Sequence, residues 1–272
     1  MTTGKVHFTE DQSTNLATLY GRALDARADN PILADPTAED AVRRIDYDFG
    51  KFGMNNDLAI SVAARAKVFD DWTRRFLAGH PDATVLHLGC GMDSRVHRLD
   101  PPPTVRWFDV DFPTVIALRE QIYPGRDGYR MIGASVTDPG WLAQVPTDRP
   151  TLVVAEGLTM YLPPEEGAAL LRRLAATLPG GEMTFDFYSR TGIKLQKTNP
   201  VVRRAGATLR WGIEDPRELE PLGLTLVECL DASYFATSDV LSRLSPAMRW
   251  RVRLAALVPA FRSMGRMLRY RF

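Results

Sequence analysis

From residue 84 onward, short apolar runs alternate with helix-length windows, and no other feature limits the fold so strongly. The runs are Thr84–Leu88, Val105–Val110, Arg130–Ile132, Leu152–Ala155, Met183–Tyr188 and Leu224–Cys229. Helical windows fall at about 92–99, 113–122, 138–144 and 164–178, with one more before residue 224. Strands separated by such windows build βαβ units, and their apolar character means that both sheet faces are covered. A helical stretch, Pro246–Met264, then leads into an alternating piece, Met267–Phe272. No room for a crossover helix precedes that piece, so it enters the sheet antiparallel. The expected fold is α/β: a seven-stranded, mostly parallel sheet with helices on both faces.

The first 80 residues read as a helical cap. Leu16, Leu19, Ala23 and Leu24 recur at helical spacing, as do Ile60, Ala63, Ala64, Val68, Trp72 and Phe76 within Leu58–Leu77. Asp57 is placed to cap that second helix, and Gly79 with Pro81 ends it. Residues 191–213 interrupt the strand–helix alternation, and 214–272 complete the sheet around the core of 81–190. No repeat and no Gly-, Ser- or Pro-rich linker divides the chain, so these parts form one domain.

Composition narrows the class. With 25% charged and 45% hydrophobic residues, collagen, low-complexity disorder and a disulfide scaffold are excluded. No apolar run reaches the roughly 18–20 residues that span a bilayer. Met1–Glu10 lacks the apolar core of a signal peptide. Two cysteines, Cys90 and Cys229, fit a reducing, cytoplasmic setting and are too few for a Cys-rich metal site. The net charge of +1 hides an asymmetry: residues 240–272 hold eight arginines and no acid, leaving 26 basic against 33 acidic residues elsewhere. That pattern excludes a global nucleic-acid binder and points to a locally basic C-terminal surface. A solvated amphipathic helix, a dock for an acidic carrier protein that presents the substrate, or a membrane-surface contact would each use it.

Val85-Leu-His-Leu-Gly89-Cys-Gly91-Met-Asp93-Ser-Arg95 is a strand, a Gly-x-Gly turn and a helix start. Gly89 permits the tight turn, and Gly91 lets a ligand lie against the backbone. The third glycine of a dinucleotide fingerprint is missing, because Ser94 stands there, which argues against a nicotinamide oxidoreductase. Asp111 closes the second run, 20 residues after Gly91, where a carboxylate can accept both hydroxyls of a ribose. Its alternative role is that of a helix N-terminal acid beside Pro113. After the third run, Val136 offers an apolar slot for adenine and Ser135 a polar contact, while Asp138 reads as a helix cap. Glu156 ends the fourth run and faces the crevice, with Tyr161 further along at the substrate entry. Tyr161 and Glu156 are the candidates for a direct catalytic role.

Four blocks occur in the order of one family: Leu88-Gly-Cys-Gly-Met-Asp-Ser-Arg95, Trp107-Phe-Asp-Val-Asp-Phe-Pro113, Ser135-Val-Thr-Asp-Pro-Gly-Trp-Leu142 and Ala155-Glu-Gly-Leu-Thr-Met-Tyr-Leu162. Together they resemble class I S-adenosylmethionine-dependent methyltransferases, and more narrowly the leucine carboxyl methyltransferase family in its bacterial polyketide branch. The resemblance implies a Rossmann-like core and S-adenosylmethionine as cofactor. It implies that Gly89, Gly91, Asp111, Ser135, Val136, Glu156 and Gly157 contact that cofactor. Ser135 departs from the eukaryotic branch, where an acid stands. Ser61-Val-Ala-Ala-Arg65-Ala-Lys-Val-Phe-Asp70 is similar to the segment whose arginine holds the cofactor's carboxylate, a task suited to the guanidinium fork of Arg65. Arg22 matches a second basic position loosely.

The resemblance implies O-methylation, and the residues bear on the acceptor. A carboxylic acid is ionised at neutral pH, whereas a phenol needs a base, often histidine. His7 lies in the N-terminal arm, His80 in a loop, His87 inside the first strand and His97 on the first crossover helix, so none is an evident base. The expected reaction is therefore esterification of a carboxylate on a small aromatic or polyketide-like metabolite. A hydroxyl acceptor is the alternative, and a catalytically silent binding module the alternative of another class. Residues 191–213 are the expected substrate lid, whose Lys194, Lys197, Arg203, Arg204 and Arg210 would attract an anionic acceptor.

Overall fold

The computed structural model describes residues 10–195 and 208–272. His7, Lys197, Arg203 and Arg204, and with them most of the expected lid, lie outside the described residues. The strands are β1 (Thr84–Leu88), β2 (Arg106–Asp111), β3 (Tyr129–Gly133), β4 (Thr151–Ala155), β5 (Gly181–Tyr188), β6 (Thr225–Leu230) and β7 (Gly265–Arg271). They form one sheet in the order β3-β2-β1-β4-β5-β7-β6. β1 to β5 run parallel, and β7 enters antiparallel between β5 and β6. The order of building reverses between β1 and β4, so their connections leave toward opposite sides. A crevice opens there beyond the carboxyl ends.

The period-2 pleat divides the apolar runs between two layers. Val85, Trp107, Leu152 and Val154 pack with Val68, Phe69, Trp72 and Phe76 of α3 (Asn56–Gly79). Leu86, Leu88, Phe108 and Val153 face the other way, toward the layer holding Leu170, Leu171 and Leu174 of α6 (Pro164–Thr177). Fully burying each such side chain is worth about 1.5–3 kcal/mol, which is why a strand with no polar face has no stable place except mid-sandwich. The cap is part of the same body. α1 (Glu10–Ala26) packs against α2 (Pro36–Arg44) and α3, and its Leu16, Leu19 and Ala23 share a core with Leu118 and Ile122 of α5 (Pro113–Ile122).

Several local expectations are corrected. Asn55, not Asp57, caps α3, its side chain accepting from the Leu58 N–H at 2.9 Å. Asp57 sits inside the first turn and accepts from the backbone and hydroxyl of Ser245 at 2.8 and 2.6 Å. The windows near 138–144 and before 224 are 3₁₀ turns, Gly140–Gln144 and Pro216–Leu222. The first crossover helix, α4 (Arg95–Leu99), begins three residues later than expected because the Gly turn runs on through Ser94. The stretch Pro246–Met264 is two helices, Pro246–Leu257 and Pro259–Arg262. Pro259 forces the break: its ring pushes Val258 out of the α region, to φ −95° and ψ 113°.

Candidate active site

The crevice holds a cavity of about 610 Å³, within the usual size of small-molecule clefts. The carboxyl ends of successive strands deliver its lining. Gly89 and Gly91 follow β1, Asp111 ends β2, Ser135 and Val136 follow β3, and Glu156 and Gly157 follow β4. Tyr161 comes from a 3₁₀ turn (Thr159–Tyr161) and Arg65 from α3. All nine residues singled out in the sequence line this one cavity. Because of the strand order, Ser135 and Val136 lie toward one end, and Tyr188, which ends β5, toward the other.

The turn after β1 is built to be narrow. Gly89 and Gly91 have φ of +59° and +50°, a region L side chains rarely enter. A Cβ on Gly91 would stand 2.6 Å from Asn15 Oδ1 of α1, and one on Gly89 2.8 Å from a Leu158 methyl. The Asp111 carboxylate holds the turn, accepting the Gly91 N–H on Oδ2 and the Phe112 N–H on Oδ1, each at 2.7 Å. Burial pushes its carboxyl pKa up, and the Gly91 and Phe112 N–H groups pull against that. The two roles read from sequence are thus not exclusive. Each oxygen uses one lone pair on the backbone and keeps one for a ligand.

Beneath the turn lies a buried ion-pair network. Glu156 is its hub: Oε1 accepts from Arg65 Nε at 2.9 Å and Arg22 Nη2 at 3.4 Å, and Oε2 from Arg95. Arg95, fully buried, also donates to Asp70 at 2.8 Å and lies 3.2 Å from Asp93. Arg98 joins Asp70, Asp93 and Asp35. Arg65 reaches Asp186 Oδ2 at 3.2 Å, while Asp186 Oδ1 accepts the Gly157 N–H at 2.6 Å. Burial works against the Glu156 charge, but Arg65, Arg95 and Arg22 overcome it and hold the carboxyl at about 2. Such a group is a poor proton acceptor near neutrality. Among the candidates for a direct catalytic role, Glu156 is therefore suited to an electrostatic place rather than to proton transfer.

His87, expected in the core, is buried in β1 and also borders the cavity. Its Nδ1 lies 3.2 Å from Asp109 Oδ1, which accepts the ring proton, and its Nε2 lies 3.2 Å from Arg95 Nη1. Asp109 shares the strand face of Asp111 but belongs to another cluster, with Trp107 Nε1 at 2.8 Å, Tyr129 at 2.6 Å and Arg119. Burial opposes the Asp109 charge, and the Arg119 guanidinium still holds its carboxyl well below the usual range. His80 stacks on Phe76 at the end of α3, and His97 lies on α4, outside the lining of the cavity.

Sequence reasoning undervalued Arg22 and missed Arg95, Asp186 and Asn15. Asp186 had a signal: a lone charge in the apolar run Phe185-Asp186-Phe187. Arg22 carries a buried Nε with no hydrogen-bond partner among the described residues, beside the cavity it lines. That orphaned donor, the half-buried fork of Arg65 and the spare lone pairs of Asp111 fit a ligand with a carboxylate and a diol. S-adenosylmethionine has both. Val136 and Ser135, beyond Asp111, fit an adenine edge.

A doubly wound sheet with these donors at its switch point suits an S-adenosylmethionine-dependent methyltransferase, and the relatives of the chain show that class. The chain belongs to the leucine carboxyl methyltransferase family, whose model matches residues 15–175. It is 47% identical, over 98% of each chain, to the tetracenomycin polyketide synthesis O-methyltransferase TcmP of Streptomyces glaucescens. It is 39% identical, over 80% of each chain, to the S-adenosyl-L-methionine-dependent methyltransferase dpfgK of Gibberella zeae. Among solved structures, a DUF574-family protein from Streptomyces avermitilis superposes with a TM-score of 0.58 at 15% identity, covering 99% and 98% of the two chains. That likeness concerns the fold. The enzyme is an O-methyltransferase using S-adenosylmethionine, and the oxidoreductase reading falls. No helix of the described residues is long and apolar enough to cross a membrane.

Proposed function

We propose that the enzyme esterifies a carboxylate on a small, aromatic, polyketide-like acceptor. The supporting observation is the state of the cavity's proton-accepting groups. His87 is the histidine that lines it among the described residues, and both of its ring nitrogens are engaged. Glu156 is held ionised by three arginines. A phenol, with a pKa near 10, would find a ready base in neither His87 nor Glu156, whereas a carboxylate needs none. The name of the TcmP relative places that enzyme in polyketide synthesis, and the same acceptor class suits a cavity bordered by Leu158, Met160, Leu162 and two tyrosines.

In this reading Asp111 holds the cofactor ribose, Arg65 and Arg22 its amino-acid carboxylate, Ser135 and Val136 its adenine, and Gly89, Gly91 and Gly157 the close backbone approach. S-adenosylmethionine, when bound, supplies a methyl group made electrophilic by sulfonium. Glu156 orients Arg65, Arg95 and Arg22 and offsets their charge. Tyr161 and Tyr188 border the acceptor, and the apolar wall excludes water that would compete as a nucleophile. Arg210, from the expected lid, lines the same end and is exposed. It supplies the positive charge that draws in and orients the acceptor carboxylate. The acceptor is a free small molecule and the setting the cytoplasm; delivery by an acidic carrier protein, the other partner expected from the sequence, would rest on charge alone.

Arg210→Met should raise KM for an aromatic carboxylate by about tenfold or more, the worth of one charge-assisted hydrogen bond. The same substitution should leave kcat and affinity for S-adenosylhomocysteine within about twofold. With wild type, kcat/KM should stay flat between about pH 6 and 9, where the acid is fully ionised. A tenfold rise per pH unit, seen with phenols as the accepted substrates, would favour the hydroxyl reading instead.

A further inference from the structure

The helix Pro246–Leu257 is built inside out. Its inner side, Met248 and Val252, is half-buried on a small cluster with Ile60 of α3, Leu241 and Leu244, and no residue of the helix is fully buried. Its outer side carries larger apolar groups: Trp250 is 65% exposed, Leu254 40% and Leu257 79%. The spacing 250, 254, 257 sets them in one stripe. Phe261, 48% exposed, follows in the next helix. Arg251 and Arg253 are exposed and, by helical rotation, flank the stripe on opposite sides. No acid occurs anywhere in residues 240–272.

We propose that this helix is an interfacial dock for an anionic lipid surface. An apolar stripe with arginines along both edges suits the boundary between headgroups and acyl chains: the rings and leucines enter, and the guanidinium groups reach back to phosphates. A second copy of the chain fits worse. Around a twofold axis the stripe would meet itself and set arginine against arginine. An acidic protein would match the charge but leaves unexplained a stripe that lines no groove. The position also has a use. Ser245, the helix cap, is bonded to Asp57 of α3, and the next turns of α3 (Leu58, Ser61, Arg65) border the cavity. Docking would hold the cavity rim close to a bilayer in which flat, apolar acceptors dissolve. The proposal goes beyond the acceptor chemistry and stands whether the acceptor is a carboxylate or a phenol.

The protein carries its own probe. Of its five tryptophans, Trp72, Trp107, Trp141 and Trp211 are buried, leaving Trp250 to report on the surface. With vesicles of phosphatidylcholine containing 30–40% phosphatidylglycerol (about the anionic fraction that gives strong surface potentials), the protein should co-sediment. Brominated acyl chains should quench the Trp250 component of its emission. Pure phosphatidylcholine should bind it at least tenfold more weakly, and raising salt from about 0.05 to 0.5 M should release it. Trp250→Ser with Leu257→Ser, and separately Arg251→Glu with Arg253→Glu, should each cut partitioning at least tenfold while S-adenosylhomocysteine binding is unchanged. Absence of association at low salt would overturn the proposal. So would co-sedimentation that survives both double variants, or a stable dimer in solution that loses its contact on Leu257→Ser.

Discussion

Replacing Glu156 by glutamine should both destabilise the protein and abolish cofactor binding. The substitution keeps shape and removes one charge from a site where Arg65, Arg95 and Arg22 converge. Arg95 and Arg22 are almost wholly buried, so they cannot regain that charge from water. Removing one partner from a buried ion pair costs about 3–5 kcal/mol. For a chain of this size that lowers Tm by about 10 °C. The pH dependence follows from the direction of the shift. The folded carboxyl titrates near 2, below its unfolded value of about 4.3. Its contribution is therefore complete above about pH 5, shrinks as pH falls below the unfolded value and is gone once pH has fallen through 2. The stability gap between wild type and Glu156→Gln, measured by urea unfolding, should be constant from pH 8 to about 5, narrow progressively below that and close near pH 2. A gap that persists undiminished at pH 2 would mean that the charge is not what holds the arginines.

The second large effect is expected at Asp111. Asp111→Asn retains one acceptor oxygen but sets an NH₂ group against either the Gly91 or the Phe112 N–H, both 2.7 Å away. The turn then loosens, and the proposed ribose site loses its charge. Two charge-assisted hydrogen bonds at about 1.5–3 kcal/mol each put the loss of S-adenosylhomocysteine affinity at 100-fold or more. Calorimetric titration reads it directly. Tm in the absence of ligand should fall by only a few degrees, because Asp111 ties down a turn and not a core. An Asp111→Asn protein that binds within threefold of wild type would move the ribose contact elsewhere.

The legible part of the fold is the part encoded locally. Apolar runs such as Leu152–Ala155 have one stable environment, and each observed strand lies within two residues of its expected limits. The antiparallel entry of β7 followed from chain length alone, because a crossover helix did not fit after Met264. The Gly turn and Asp111 were legible because backbone conformation and strand-end position restrict the residue type. The ion-pair network was not. Arg95 meets Glu156 across 61 residues of chain, and Arg65 meets Asp186 across 121. Nothing in the neighbourhood of either arginine distinguishes a buried fork from a solvated one. Asp57 was misplaced for a smaller reason: asparagine and aspartate two residues apart are equally good caps, and Ser245, 188 residues away, decides between them. The arginines near the C-terminus could be counted in the sequence. That Trp250 and Leu257 face outward between them depends on which side of the helix meets Ile60.

The nature of the accepting oxygen separates an ester from an ether, and the bond formed can be identified by its chemistry. Incubation with S-adenosylmethionine carrying a tritiated methyl group, and with an aromatic acid beside its phenol analogue, would give two separable products. A methyl ester releases volatile tritiated methanol in dilute alkali, whereas an aryl methyl ether does not. The label should go to the acid and be wholly alkali-labile. Label that enters the phenol and resists alkali would contradict a carboxylate acceptor.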